Sequence, residues 1–482
     1  AYQVTMTNCT FSLNGLDVLR FTGIQGISPP GDYRGMPAFA FGGVVTNVTS
    51  TAHTNDRYHS FTVANNLTWI RGRHTAKWGL DLVHNGNEGV NVSAGTFGTF
   101  NFNGFFTGNA YADFLLGLPE RASRSTFREY QDIGGYSQYL FFEDAWRINS
   151  RVTLTLGARY EYQFAFQDSE GLMYNLDPRT MNLVVPDKAF GSGRINPLLP
   201  STIKVVKASE AGYPQGLRAV DKNNVVPRIG LAVRPLQRTV VRAGYGVFID
   251  DFGFSLTPPS GGPLYAFTET FQNTNRRQPQ YAFPNPFGVS GSIGTITATG
   301  FKVDLKNPYA QQWSLTVERA VADVGLRLSY IGTKGTKLGY TREMNVPFPS
   351  TTPFSNSRRP HPQYGSLLFS DNGGSSIYHG LQAEAERRFG RGLYFQAAWT
   401  WSNLISDVAD SGSDLGPTIE NPFDRRRDRG RESYAVRHRA TGSLIYELPI
   451  GRGRRFLTHL PVVLSQVAEG WTVSSLLYFE TG

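Results

Sequence analysis

Hydrophobic and polar residues alternate one for one over long stretches of the chain. Between Val152 and Tyr162 one face carries Val152, Leu154, Leu156, Ala158, Tyr160 and Tyr162; the other carries Thr153, Thr155, Gly157, Arg159 and Glu161. Successive side chains of an extended backbone point to opposite sides, so this period of two predicts a strand with one greasy and one wet face. The pattern recurs. Ala76, Trp78, Leu80 and Leu82 oppose Thr75, Lys77, Gly79 and Asp81, and Val241, Ala243, Tyr245, Val247 and Ile249 oppose Arg242, Gly244 and Gly246. Trp313, Leu315 and Val317 likewise oppose Ser314, Thr316 and Glu318, and Leu393, Phe395, Ala397, Trp399 and Trp401 oppose Tyr394, Gln396, Ala398 and Thr400.

The predicted strands come in pairs. Phe61–Ile70 and Thr75–Val83 flank one tight turn, Tyr136–Arg147 and Val152–Phe164 a second, and Val225–Val233 and Thr239–Ile249 a third. Pro308–Arg319 with Val324–Gly332, and Ile377–Phe389 with Leu393–Ser402, follow the same plan. A last pair, Arg437–Leu448 and Trp471–Glu480, has a longer link. Between pairs lie stretches rich in Gly, Pro, Ser and Asn, at 84–135, 165–224, 250–307, 333–376 and 403–436. Loops of that length are uncommon inside a compact soluble domain. Strict alternation of short and long links is the sidedness of a membrane barrel, with short periplasmic turns and long extracellular loops. The predicted fold is an all-β, antiparallel transmembrane β-barrel, partial and unclosed as given, of on the order of a dozen strands.

A soluble sandwich or propeller would also alternate. The greasy faces, however, end in aromatics (Trp69, Trp78, Tyr160, Trp399, Trp401, Tyr446, Trp471), as interfacial girdles do, and the opposite faces carry charge. Two segments keep alternatives open. Leu381–Phe389 has helix-favouring residues, although Leu381, Ala383 and Ala385 alternate with Gln382, Glu384 and Glu386 as in a strand. Asn109–Pro119 has no clean period and reads as a short helix or a tucked loop.

Composition agrees. Among 482 residues, 13% are aromatic, 52 are glycine and only 18% are charged, a balance of short strands and long loops rather than helical repeats. The one cysteine, Cys9, excludes an internal disulfide framework and a cysteine-rich zinc site. No apolar run approaches the ~18 residues of a transmembrane helix, so any membrane crossing must be made by strands. The net charge of +9 peaks in Asp424–Arg431, but that run contains two aspartates and lacks interleaved stacking aromatics. It reads as a solvated loop able to meet anionic glycolipid, and no nucleic-acid partner is expected.

Catalytic and metal-binding motifs are missing: no His-Glu-x-x-His, Cys-x-x-Cys, Walker A or Gly-x-Ser-x-Gly occurs. Asp407–Asp414 offers carboxylates without the spacing of a calcium loop, and His438, between arginines, reads as a surface residue. Glu384 and Glu386 share a strand face and are suited to line a pore. The expectation is a protein that is not an enzyme, with no catalytic residues, metal site or cofactor.

Specific residues also resemble a family. Phe141–Arg147, followed by Arg151–Glu161, is similar to the barrel strands of TonB-dependent receptors, with Glu143 where the family usually has Gln. Trp69–Gly79, Ala112–Pro119, Pro227–Gly230 with Arg242–Gly246, Asn307–Trp313, Tyr330–Gly335, Arg437–Arg439 and Glu447–Pro449 look like the Oar-like subgroup, which carries a carboxypeptidase-regulatory-like domain. Where that subgroup often has Asp before Val-Arg-His, this chain has Ala435.

The resemblance implies a Gram-negative outer-membrane protein in which residues 61–482 are part of a TonB-dependent receptor barrel. Residues 1–60 are early barrel or the tail of a plug. It also implies that the chain is a fragment, with the plug and the TonB-contacting region lying outside it. The expected partners are outer-membrane lipid and lipopolysaccharide, the TonB complex through that N-terminal region, and an unidentified solute. Solute contacts are expected in the long loops and at the lumen-facing Arg159, Glu161, Arg228 and Arg242. An outer-membrane adhesion or export component, and a secreted all-β carbohydrate-binding protein, are the alternative readings.

Overall fold

The structure is a computed structural model describing residues 2–9, 22–27, 35–43, 46–48, 53–92, 94–126, 131–250, 262–265, 267–288, 291–390, 392–408, 418–451, 454–459 and 461–481. Its main sheet follows a path of thirteen strands in chain order, each antiparallel to the next. They are β1 (Tyr2–Cys9), β2 (His53–Arg71), β3 (His74–Val92), β4 (Gln131–Arg147), β5 (Val152–Gln163), β6 (Val225–Leu236) and β7 (Thr239–Ile249). Then come β8 (Tyr309–Val321), β9 (Val324–Glu343), β10 (Tyr364–Gly390), β11 (Leu393–Ser406), β12 (His438–Glu447) and β13 (Thr472–Glu480). β1 and β13 stand at opposite ends of this path, so the sheet is open.

Two-residue turns join β2 to β3, β6 to β7 and β8 to β9. Turns of this length match the strand twist when the backbone enters the left-handed region. Gly72 (φ 60°) does so in the first, while Arg238 (φ 58°) and Ala322 (φ 49°) adopt it in the others without glycine's freedom. The segment Leu381–Phe389 is strand, within β10, as its alternation favours. Asn109–Pro119 holds a helix, Ala110–Leu115, whose start is capped by the Asn109 side chain accepting from the Tyr111 and Ala112 amides.

The strands run further on the loop side than hydrophobic alternation predicts. β2 and β3 continue to His53 and Val92, and β9 and β10 reach Glu343 and Tyr364. These extensions are rich in Asn, Gly and Ser: the hydrogen-bond ladder continues there, but no apolar face is required once the strands leave the hydrocarbon.

The long links are not structureless. Those between β1 and β2, β3 and β4, and β7 and β8 combine into one five-stranded sheet, containing Ala38–Ala40, Thr99–Asn101, Arg121–Ser125, Thr268–Gln272 and Ser292–Ile293. It closes over a phenylalanine-rich core that includes Phe41, Phe100, Phe102 and Phe271. A second lobe, from the β5–β6 link, has strands Asn175–Leu176, Leu183–Val185 and Val205–Lys207. Its Tyr174, Leu176, Leu183 and Val185 pack with Ile296 and Ala298, and with Tyr364, Leu367 and Phe369 at the start of β10.

The dry cores therefore lie mainly in the loops. On the main sheet the large apolar side chains stay uncovered by protein: Leu67, Leu140, Phe142 and Leu328 are each 50–53% exposed. A wide apolar face left bare by the fold is the lipid-facing band of a membrane barrel.

Candidate functional site

Strand register identifies the two faces. Across β4 to β8, Trp146, Leu154, Leu231, Ala243 and Leu315 stand side by side on the apolar face. One residue along each strand, the opposite face presents Arg147, Thr153, Ala232, Arg242 and Thr316. That row continues through Ser329, Gln382, Thr400, Arg439 and Glu480, giving an almost continuous polar belt. It is the wet inner wall.

On this wall the structure brings Arg159 and Glu161 together. The Arg159 Nε donates to Glu161 Oε1 at 3.0 Å and its Nη1 reaches Asp81 Oδ2 at 3.4 Å. The guanidinium also lies over the Tyr139 ring, 4.6 Å from its centroid. This constellation draws on β3, β4 and β5, and its members are partly shielded, with Arg159 24% and Glu161 12% exposed at the side chain.

Arg242 belongs to a separate group nearer the turns. It donates to Glu318; Arg327 donates to the same Glu318 through Nε and Nη2 at 3.2 and 3.1 Å, and to Glu384 Oε2 through Nη1 at 3.2 Å. The result is a ladder of alternating sign, Arg242–Glu318–Arg327–Glu384, across β7 to β10. Exposed pairs of this kind add little stability singly. Their value is positional: five-donor guanidinium groups fix carboxylates in set orientations along the wall. A cavity of about 500 Å³ opens here, lined by Arg238, Glu318, Arg327, Glu384, Glu386 and Gln396.

Arg228 stands apart from both groups. Its row neighbours are Gly157 and Gly246, which leave room around it, and its guanidinium lies 5.1 Å from the Phe248 ring centroid. It has no ion-pair partner among the described residues. The four residues expected from the sequence thus occupy one wall but form no single cluster. Asp81, Tyr139, Glu318 and Arg327 complete the groups. Alternation puts Asp81 and Glu318 on wet faces, but only cross-strand register shows which cation each meets.

The arginines of the Asp424–Arg431 run are largely engaged by their own surroundings. Arg426 pairs with Asp424, Arg427 with Glu420, and Arg425 reaches Asp407 at 3.7 Å while lying 4.8 Å from the Tyr340 ring centroid. Asp407 also accepts from the Ser375 amide at 2.6 Å. The rest of the aspartate-rich run, Ala409–Asp414, lies outside the described residues. His438 stacks on Trp399 on the apolar face, with centroids 5.9 Å apart. Among the described residues no group of three or more His, Cys, Asp or Glu is placed to hold a metal ion, and no helix is long and apolar enough to cross a membrane.

In the second loop lobe Asp177 accepts from the Arg179 amide and Nε and from the Thr180 hydroxyl. Burial alone would raise its pKa, but these hydrogen bonds hold the carboxyl below its usual value. Tyr213 beside it is pushed up to about 12, by burial first and by the Asp177 charge second.

The family match supports the architecture. The family described as "Outer membrane beta barrel domain" matches residues 2–482. No curated protein matches the chain in sequence. Among solved structures, the chain is similar to the outer membrane transporter YddB from Escherichia coli, at 10% identity and a TM-score of 0.45, covering 92% of this chain and 50% of that one. It is also similar to the ferripyoverdine receptor of Pseudomonas aeruginosa, at 11% identity and a TM-score of 0.39, over 83% of this chain and 37% of that one. The FrpB iron transporter from Neisseria meningitidis gives 13% identity and a TM-score of 0.37, over 84% and 43%. The chain spans half or less of the length of each. The bare apolar face, the polar inner wall and the full-length family match lead to one conclusion: the chain belongs to the outer membrane β-barrel domain family, and its membrane is the outer membrane of a Gram-negative bacterium.

Proposed function

We propose that this chain forms the wall of a TonB-dependent receptor of the Oar-like kind, which takes up a solute through a plug-gated lumen without covalent chemistry. The observation that carries the reading is the inner wall itself. Fixed ion-paired ladders and the uncommitted Arg228 line it beneath folded loop lobes, an arrangement suited to capturing a polar solute outside and passing it inward. Arg159, Glu161, Arg228 and Arg242 are the wall contacts in this proposal, with the lobes making the first contact. The sequence resemblance in Phe141–Arg147 and Arg151–Glu161 supports the coupling to TonB. Residues 61–482 are barrel in this reading, and its partners are lipid, lipopolysaccharide and TonB.

The test uses the full-length protein in planar bilayers bathed in KCl, together with binding of the periplasmic domain of TonB. A gated receptor stays closed to KCl and binds TonB. A steady open conductance with no TonB binding would make the protein a simple pore and overturn the proposal.

A further inference from the structure

The outer face, which the transport reading leaves unused, carries an open recess. It is an apolar groove of about 570 Å³, within the size range of ligand sites. Its floor is Ala383 and Ala385 on β10, Ala397 on β11 and Ala440 on β12; Leu326 and Leu328 form one wall, and Trp399 rises from the other side. The register puts these residues in two adjacent outer-face rows. One runs Arg319, Leu326, Ala385, Ala397; the other runs Val317, Leu328, Ala383, Trp399, Ala440. Here alanines stand between Leu326, Leu328 and Trp399, which makes the surface concave.

Two cations mark the turn end of the groove. Arg319 lines it directly, is exposed, and has no ion-pair partner among the described residues. Arg387, one row nearer the turns, reaches Asp323 only at 3.8 Å. With the short turns on the periplasmic side, the groove runs from the periplasmic rim toward mid-membrane, with its charge at the level of the headgroups. An apolar slot with guanidinium groups at its rim fits an acyl chain below a phosphate, which arginine binds through paired N–H donors.

We propose that this groove is a specific site for an anionic phospholipid of the periplasmic leaflet, with one acyl chain over the alanine floor and the phosphate at Arg319 and Arg387. The occupant is a lipid rather than a second barrel because the recess is concave and ends in positive charge, the Arg319 guanidinium unpaired and Arg387 held only by the exposed Asp323, which a self-complementary contact would bring against itself.

The test is native mass spectrometry of the full-length protein released from detergent, titrated with phosphatidylglycerol and, separately, phosphatidylethanolamine. One phosphatidylglycerol should be retained in preference to phosphatidylethanolamine. Ala385→Phe, which fills the floor, should weaken retention by on the order of tenfold, and Arg319→Gln with Arg387→Gln should abolish the preference for the anionic lipid. Leu156→Phe, on the same face outside the groove, should change nothing. Heat-modified gel migration identifies folded variants, and the arginine pair tests the idea even if Ala385→Phe fails to fold. Unselective retention by the unaltered protein, full retention by folded Ala385→Phe, or a dimer that Ala385→Phe dissolves would each overturn the proposal.

Discussion

Adjacent residues on one strand give the sharpest test of the face assignment. Leu315, 48% exposed, lies on the outer face of β8 between Ala243 and Tyr330. Ser314, one residue earlier, lies on the inner face between Gly244 and Ile331. Leu315 is six residues from the end of β8 at Val321, which at ~3.3 Å per residue and a tilt of ~40° places it about 15 Å from the turn. That is close to the middle of an apolar band ~25 Å tall. Leu154 is a weaker probe: it lies only two residues into β5, where an introduced arginine can snorkel to the interface. Leu315→Arg should therefore cost about 2–4 kcal/mol of folding free energy. This corresponds to about 30- to 700-fold in the folding equilibrium. Ser314→Arg meets water and a flanking glycine, and should change stability by less than about 1 kcal/mol. The assay is reversible guanidine unfolding of the full-length protein in phospholipid vesicles, read by tryptophan fluorescence. Equal losses, or a larger loss for Ser314→Arg, would refute the assignment of the two faces.

Three further outcomes are expected. Glu318→Gln should unpair Arg242, leave Arg327 held by Glu384 alone, and shift the reversal potential under a KCl gradient toward anion selectivity once the lumen is opened; an unchanged potential would mean that the ladder does not face the conducting path. Arg228→Ala should weaken solute accumulation in cells without altering thermal stability, because Arg228 has no ion pair to lose; a large fall in melting temperature would assign it a structural role instead. The second loop lobe should loosen at both ends of the pH scale. The depressed Asp177 pKa adds stability that is present above the ordinary carboxylate value and is lost as pH falls through the folded value, so protease cutting within 165–224 should rise below about pH 4 and Asp177→Asn should remove that step. The raised Tyr213 pKa works in the opposite sense: its contribution is complete below about pH 10 and fades as pH rises toward about 12, which tyrosinate absorbance will follow.

Local rules made much of this protein legible from its sequence. Successive side chains of a strand point to opposite faces, so alternation alone separates Leu154 from Thr155 and Leu315 from Ser314. A tight turn needs few residues, so the positions of Ala322–Asp323 and Gly72–Arg73 are also visible in the chain. The same signal weakens where strands leave the hydrocarbon, which is why β2, β3, β9 and β10 extend beyond the alternating stretches. Pairing of charges is a different matter. Arg159 and Glu161 are sequence neighbours on one face, and their contact follows from that spacing. Arg242 meets Glu318 across 76 residues, and Arg327 meets Glu384 across 57, so only the register between strands joins them. The loop lobes required the tertiary structure most of all. Ala38–Ala40, Thr99–Asn101 and Thr268–Gln272 form one sheet although each is a few residues long and weakly patterned, because their partners come from links far apart in the chain and become neighbours only once the strands beneath them are in place.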